Sequence, residues 1–201
     1  MKKEAMIVVD YQNDFAHSKG SLYVKGGETL FPFINSLIKE IKTRSGIIIT
    51  SQDWHPENHI SFAATYGLDD YSMKDGELKW PKHCVADTWG ADFLDGFDRD
   101  LVDRKVLKGF EENLDSFSSF GGIERETQLN LDQILKSHNA EILHVVGLAT
   151  EYCDLATVLD ARKLGYEVIV HTRGISAVNV NPLDGENAIR QMKESGAIIL
   201  T

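Results

Sequence analysis

The stretch Ile142-Leu143-His144-Val145-Val146-Gly147-Leu148-Ala149-Thr150-Glu151-Tyr152-Cys153 decides the fold. Its first five residues read as a buried strand that ends at Gly147. Beyond Cys153, residues Leu155, Val158, Leu159 and Arg162 to Leu164 continue as a helix, closed by Gly165 at the left-handed position after the last turn. A strand feeding a helix in this way is the building unit of parallel α/β proteins.

The same alternation runs outward in both directions. Ala5-Met6-Ile7-Val8-Val9 is an apolar run of strand length ending at Asp10. Leu30, Phe33, Ile34, Leu37, Ile38 and Ile41 follow helical spacing until Gly46 stops it. Ile47-Ile48-Ile49-Thr50 reads as the second strand, and Arg104-Lys105-Val106-Leu107 as a third that enters Lys108-Gly109. Ile134 and Leu135 belong to a helical stretch, and Glu167 to His171 form a fifth strand. Asn181-Pro182 reads as a helix N-cap followed by proline in the first turn, and Gly196 ends that helix before Ala197 to Leu200. Strands apolar on both faces and separated by helices imply a mainly parallel sheet covered on both sides. The expected fold is therefore a three-layer, Rossmann-like α/β/α sandwich around a mainly parallel six-stranded sheet, with residues 1–201 as a single domain. The irregular region from about Asp53 to Gly96 is too long for a plain connector, which marks it as functional.

Composition sets the outer bounds. The chain has 201 residues, 42% hydrophobic and 26% charged, and a formal net charge of −10. No Lys/Arg cluster is present, which excludes nucleic acid as a partner. No cationic leader precedes an apolar run, and no run approaches the length of a bilayer, so no membrane partner is expected. The two cysteines, Cys84 and Cys153, are then expected as free thiols in the cytoplasm.

In open parallel sheets, ligands bind outside the carboxyl ends of the strands. The first strand ends in Asp10, the second leads into Asp53-Trp54-His55, the third into Lys108-Gly109 and the fourth into Cys153. One rim thus receives an acid, a metal-type pair, a cation and a thiol. Cys153 lies where a helix begins, so the helix dipole and unpaired N–H groups favour its thiolate, the nucleophilic form. On position alone a small buried hydrophobe describes it equally well; Asp10 and Lys108 at neighbouring exits favour the nucleophile. Asp10 is the candidate base and Lys108 the candidate cation that holds the pair in register, while Asp14 is read as a turn residue. Asp53 and His55, one residue apart on extended chain, can grip one ion together with His83 from the long loop. Carboxylate plus imidazole suits Zn²⁺, with Fe²⁺ or Mn²⁺ as alternatives. His59 is a fourth contact or a supporting group, and His17, His138, His144 and His171 are read as structural or surface residues. Phe15, Trp80 and Phe117 stand beside these polar residues and can wall a pocket for a flat ring.

Taken together, the chain resembles the nicotinamidase/pyrazinamidase group within the isochorismatase-like cysteine hydrolases, over nearly its whole length. The resemblance rests on Ile7 to Phe15 (IVVDYQNDF), Thr50 to Pro56 (TSQDWHP), Trp80 to Val85 (WPKHCV), Lys108-Gly109 and Gly147 to Cys153 (GLATEYC). It implies a catalytic triad of Asp10, Lys108 and Cys153. It also implies a cis peptide between Leu148 and Ala149 that aims the N–H groups of Ala149 and Cys153 at an oxyanion. The implied activity is hydrolysis of nicotinamide to nicotinate and ammonia through a thioester, in NAD salvage. Phe15 and Trp80 would sandwich the pyridine ring beside Phe117, with the ring nitrogen near one divalent ion, Zn²⁺ ahead of Fe²⁺ or Mn²⁺, on Asp53, His55 and His83. A small-molecule substrate is the expected partner, and self-association stays open. Relatives often carry Tyr where Phe117 stands, and the spacing from His55 to His59 varies among them.

Overall fold

The computed structural model describes residues 2–201. In chain order the strands are β1 (Lys3–Val9), β2 (Ile47–Asp53), the two-residue β3 (Met73–Lys74) and β4 (Glu77–Leu78), β5 (Arg104–Lys108), β6 (Ala140–Leu148), β7 (Glu167–Ser176) and β8 (Ile198–Leu200). The helices are α1 (Asn13–Ala16), α2 (Phe31–Thr43), α3 (Leu131–Ser137), α4 (Leu155–Lys163) and α5 (Asp184–Glu194). Ala5 to Val9 are all fully buried, as befits a strand covered on both faces. The main sheet has six strands in the order β5-β2-β1-β6-β7-β8, and every pairing in it is parallel.

Alternate residues of each strand feed two cores. Met6, Val8, Ile48 and Val146 pack beneath Ile34, Leu37, Ile38 and Ile41, the apolar stripe of α2. Ile7, Val9, Val145 and Val168 face the opposite layer, where Leu131, Ile134, Val158 and Met192 arrive from α3, α4 and α5. This is the expected three-layer sandwich. Among the described residues no helix is long and apolar enough to cross a membrane.

Two local expectations are corrected. Three strands run further than their apolar segments: β2 continues through the buried Ser51, Gln52 and Asp53, β6 to Leu148 and β7 to Ser176. The polar residues of β2 hold the ladder while their side chains bond Asp10, the Ala91 carbonyl and Lys108, which hydropathy does not reveal. The last helix also starts later than Asn181-Pro182. Asn181 donates through its backbone N–H to Asp184 Oδ2 at 2.8 Å, closing a turn, and α5 begins at Asp184 after Leu183 at φ 75°. The acceptor here is the later residue, the reverse of a cap.

The four strands with chemistry at their exits, β5, β2, β1 and β6, are consecutive neighbours. Asp53 pairs with Lys108 and Val9 with Gly147, so the exits lie level. Winding reverses between β1 and β6, the position where such sheets open a crevice. Gly147 is needed there: at φ 133°, a Cβ on it would lie 2.0 Å from the Val9 carbonyl oxygen.

Candidate active site

Asp10 leaves β1 in the left-handed region at φ 45°, a conformation costly for a non-glycine residue and often met at functional sites. Its Oδ1 accepts from Ser51 Oγ at 2.7 Å, and its Oδ2 lies 2.9 Å from Lys108 Nζ. Lys108, the last residue of β5, is fully buried. Its ammonium pairs with Asp53 as well as Asp10, donates to the Ser116 carbonyl at 3.1 Å, and lies 3.4 Å from Cys153 Sγ. A lysine tolerates such burial only when its charge is matched. Desolvation works against the ammonium, but Asp10 and Asp53 more than compensate and keep it charged.

Cys153 sits in a wide π-type turn, Thr150–Asp154, that carries β6 into α4. Against the helix placement stands the burial of the sulfur. Burial pushes the thiol well above its ordinary value, although Lys108 pulls the other way. The thiol therefore needs a base. Asp10 beside it is also raised by burial, against the opposing pull of Lys108, which suits a carboxylate for taking a proton. The peptide between Leu148 and Ala149 is cis. Among the described residues, no hydrogen bond uses the Ala149 N–H.

Asp53, His55 and His83 bring one ligand atom each to within 4.8 Å of one another, all three buried. His55 Nδ1 is held by the Gly109 carbonyl at 2.8 Å and His83 Nδ1 by the Pro81 carbonyl at 2.8 Å. Pinning Nδ1 in this way fixes the tautomer and leaves Nε2 as the donor, the usual arrangement of metal-binding histidines. His55 Nε2 lies 3.5 Å from Asp53 Oδ2. Burial and the neighbouring His55 lower His83 to about 4, so it is neutral and able to ligate. Lys108 and the two histidines overcome the effect of burial on Asp53 and hold its carboxyl far below the usual range. One carboxylate and two imidazoles fit a divalent ion with positions left open. His59 is differently placed: its ring stacks on His55 at 4.1 Å, and both its nitrogens are occupied, by Ser61 Oγ at 2.7 Å and the Leu114 carbonyl at 3.1 Å.

Asp53, His55, His83 and Cys153 open onto one cleft with about 480 Å³ of empty space, counting its mouth, while Asp10 and Lys108 are fully buried. Phe15, Trp80, His83, Phe117, Ala149 and Cys153 line it, with Tyr152 standing edge-on to Trp80 at 5.0 Å. Phe15 and Trp80 are buried, whereas Phe117 at the mouth is 40% exposed. Leu148 does not line the cleft; its side chain is fully buried in the α2-side core, so only its backbone borders the site. Asp14 is more than a turn residue. Its carboxylate accepts from the N–H of Ser21 at 3.0 Å and of Cys84 at 2.7 Å, tying the His83 segment to the end of β1.

Three participants escaped the sequence reading. Ser51 lies two residues before Asp53 on the same side of β2, so strand alternation was a usable signal. Tyr152 adjoins Cys153, but neighbours in sequence rarely share a face. Asp154 is fully buried with neither carboxylate oxygen hydrogen-bonded, and burial pushes its carboxyl well above the usual carboxylate range; no pattern marks it. His144 and His171 form a buried, stacked pair joined at 2.9 Å on the α2 side, away from this rim.

An isochorismatase domain model matches residues 4–201. The nicotinamidase of Escherichia coli K12 is 38% identical over 205 residues, covering 100% of this chain and 96% of that protein. The crystal structure of the Pyrococcus horikoshii pyrazinamidase in complex with zinc superposes with a TM-score of 0.82 at 36% identity, covering 99% of both chains. The yeast nicotinamidase bound to the inhibitor nicotinaldehyde gives a TM-score of 0.86 at 29% identity, covering 98% of this chain and 99% of that one.

Proposed function

The chain belongs to the isochorismatase domain family, and from that premise we propose that it is a nicotinamidase, hydrolysing nicotinamide to nicotinate and ammonia with Cys153 as nucleophile. The observation that carries this is an aromatic-walled cleft lined by Cys153 and three metal-type donors, with Cys153 Sγ 3.4 Å from a buried Lys108 Nζ that also meets Asp10. The full-length similarity to nicotinamidases supports the substrate.

Asp10 Oδ2 takes the thiol proton and the sulfur attacks the carboxamide carbon. The carbonyl π pair moves to oxygen, giving a tetrahedral oxyanion beside the free Ala149 N–H and the Cys153 N–H. Asp10 returns the proton to the amide nitrogen, the C–N bond breaks and ammonia leaves a thioester. Water then attacks the thioester with Asp10 as base, and the C–S bond breaks to release nicotinate and restore the thiol. Lys108 keeps its charge throughout and steadies the sulfur and Asp10 when either is anionic. Phe15, Trp80 and Phe117 hold the ring, and the cleft's apolar lining excludes bulk water from the intermediate. Asp53, His55 and His83 would hold a divalent ion, with Zn²⁺ favoured; when bound it supplies a Lewis acid that orients the ring nitrogen. The reaction serves NAD salvage, and two free thiols support a reducing, cytoplasmic setting.

The test is ammonia release over a small panel of amides. Nicotinamide should be turned over by the wild type and not by Cys153→Ala, whose circular dichroism should match. Retained turnover in the variant sinks the mechanism, and a preference for another amide or a carbamoyl compound sinks the substrate.

A further inference from the structure

Behind Asp10, on the side away from the cleft, three buried hydroxyls stand in line. Ser51 Oγ donates to Asp10 Oδ1 at 2.7 Å, Ser119 Oγ to Ser51 Oγ at 2.9 Å, and Thr157 Oγ1 to Ser119 Oγ at 3.1 Å. All three residues are 0% exposed. They come from β2, the turn after β5 and α4, so the line spans three elements. Thr157 lies one helical turn beyond Cys153, and its oxygen also accepts from the Ser119 N–H at 2.9 Å.

Each hydroxyl has one proton to donate. An ionised carboxylate can only accept, so the Ser51 proton must point at Asp10 and Ser51 must accept from Ser119. Ser119 must then accept from Thr157. The order of all three protons is fixed, and every one points towards Asp10. Chains of this kind polarise their members, and a hydrogen bond to a carboxylate is stronger than a neutral one.

The consequence lies in what is left free. With Oδ1 bound by Ser51, Asp10 has one oxygen left, Oδ2, 2.9 Å from Lys108 Nζ; that atom has no hydrogen-bond donor of good geometry. The same segment serves Lys108 from the other side, because the Ser116 carbonyl takes one of its protons at 3.1 Å. Phe117, between Ser116 and Ser119, lines the cleft.

We propose that Ser51, Ser119 and Thr157 are positioning residues that hold Asp10 by Oδ1 so that Oδ2 alone exchanges protons with Cys153. The proposal rests on the nicotinamidase reading for its substrate but not for its thiol chemistry. Without Ser51 the carboxylate is free to turn, and the thiol loses its acceptor. Fully truncating a buried, charge-assisted bond of this kind costs roughly ten- to a hundredfold in rate.

Two readouts test it. Ser51→Ala should lower kcat for nicotinamide roughly tenfold or more with KM nearly unchanged, since Ser51 does not line the cleft. Alkylation of Cys153 by iodoacetamide, followed on the modified peptide by mass spectrometry, should slow in parallel. Thr157→Val, a smaller perturbation, should lower both in the same direction, and Thr157→Ser should restore them. Unchanged or faster alkylation in Ser51→Ala overturns the proposal, as does equal loss in Thr157→Val and Thr157→Ser, which marks a packing effect. If the wild type fails to hydrolyse nicotinamide, the substrate is wrong, yet the alkylation series still decides the role of the hydroxyls.

Discussion

The Lys108 ammonium lies 3.4 Å from the Cys153 sulfur, and each of its other contacts is to an oxygen, on Asp10, Asp53 and the Ser116 carbonyl. This one side chain joins the proposed nucleophile, its proposed base and the metal-type carboxylate. Four strand exits converge on it because β5, β2, β1 and β6 are neighbours.

Lys108→Met keeps the length of the side chain and removes its charge. Asp10 and Asp53 then face each other in the interior with no cation between them. Breaking a buried ion pair on one side costs about 3–5 kcal/mol. We expect a urea midpoint lowered to match, and no measurable ammonia release even where the variant is fully folded. Activity near the wild-type level would mean that the thiol is not governed by this cation.

Removal of the metal should act on the substrate before it acts on the fold. Both hydrophobic cores are built without the donor set, which lies at the rim. Dialysis against a chelator should therefore raise KM or stop turnover while the far-ultraviolet spectrum is retained. Zn²⁺, Fe²⁺ and Mn²⁺ added back one at a time should restore activity to different extents. His83→Ala should resemble the chelated protein and resist rescue. Indifference to the chelator would remove the ion from the account.

The aromatic wall is graded by depth. Trp80 is 6% exposed and meets Tyr152 edge-on, while Phe117 is 40% exposed at the mouth. Truncating a buried aromatic costs about 3–5 kcal/mol in packing, whereas an exposed one contributes far less. Trp80→Ala should raise KM by well over tenfold and lower the melting temperature. Phe117→Ala should change KM only a few-fold and leave stability unaltered. Steady-state kinetics on the two variants, side by side, checks the order.

Much of this was legible in the sequence, for a physical reason. Ala5 to Val9 and Ile142 to Val146 are apolar on both faces, so their strands had to be central, and whatever follows a central parallel strand lies at the binding rim. Asp10, Asp53, Lys108 and Cys153 were found by that rule alone. The hydroxyl line was hidden because Ser119 is 68 residues from Ser51 and 38 from Thr157; serines so far apart carry no local pattern. The start of α5 was misplaced because Asn181 and Asp184 exchange the roles that capping statistics assign. His144 and His171 each passed for an ordinary histidine, since only the pairing of β6 with β7 sets them side by side.

That pair should mark the acid stability of the fold. Burial, then Arg44 for His144 and His144 for His171, lowers both imidazoles from 6.5 to about 4. Glu4 meets His144 Nε2 at 3.2 Å, and Glu40 is the other acid nearby, too weak to reverse the shift. A folded-state value below the unfolded one means that the unfolded chain binds protons first on acidification. The stabilisation is complete above about pH 6.5 and drains away as the pH falls to about 4. The melting temperature should fall across that window. It should fall less steeply in the His144→Gln/His171→Gln double variant, the difference isolating the pair from the titrating carboxylates.

Gly109 separates metal placement from chemistry most sharply. It follows Lys108 at φ 62°, and its carbonyl holds His55 Nδ1 at 2.8 Å. A Cβ here would lie 2.3 Å from His55 Cε1 and 2.6 Å from Nδ1, closer than real Cβ atoms approach other atoms. Gly109→Ala must therefore displace the His55 ring, and the left-handed backbone adds strain of about 1–2 kcal/mol. Outside its chain neighbours, the three atoms nearest to that Cβ all belong to the His55 ring, and none to Asp10 or Cys153. Metal content by elemental analysis should drop in this variant and KM should rise, while iodoacetamide still alkylates Cys153 at close to the wild-type rate. Should metal content and KM stay at wild-type values, His55 does not hold the ion in the position its Gly109 hydrogen bond dictates.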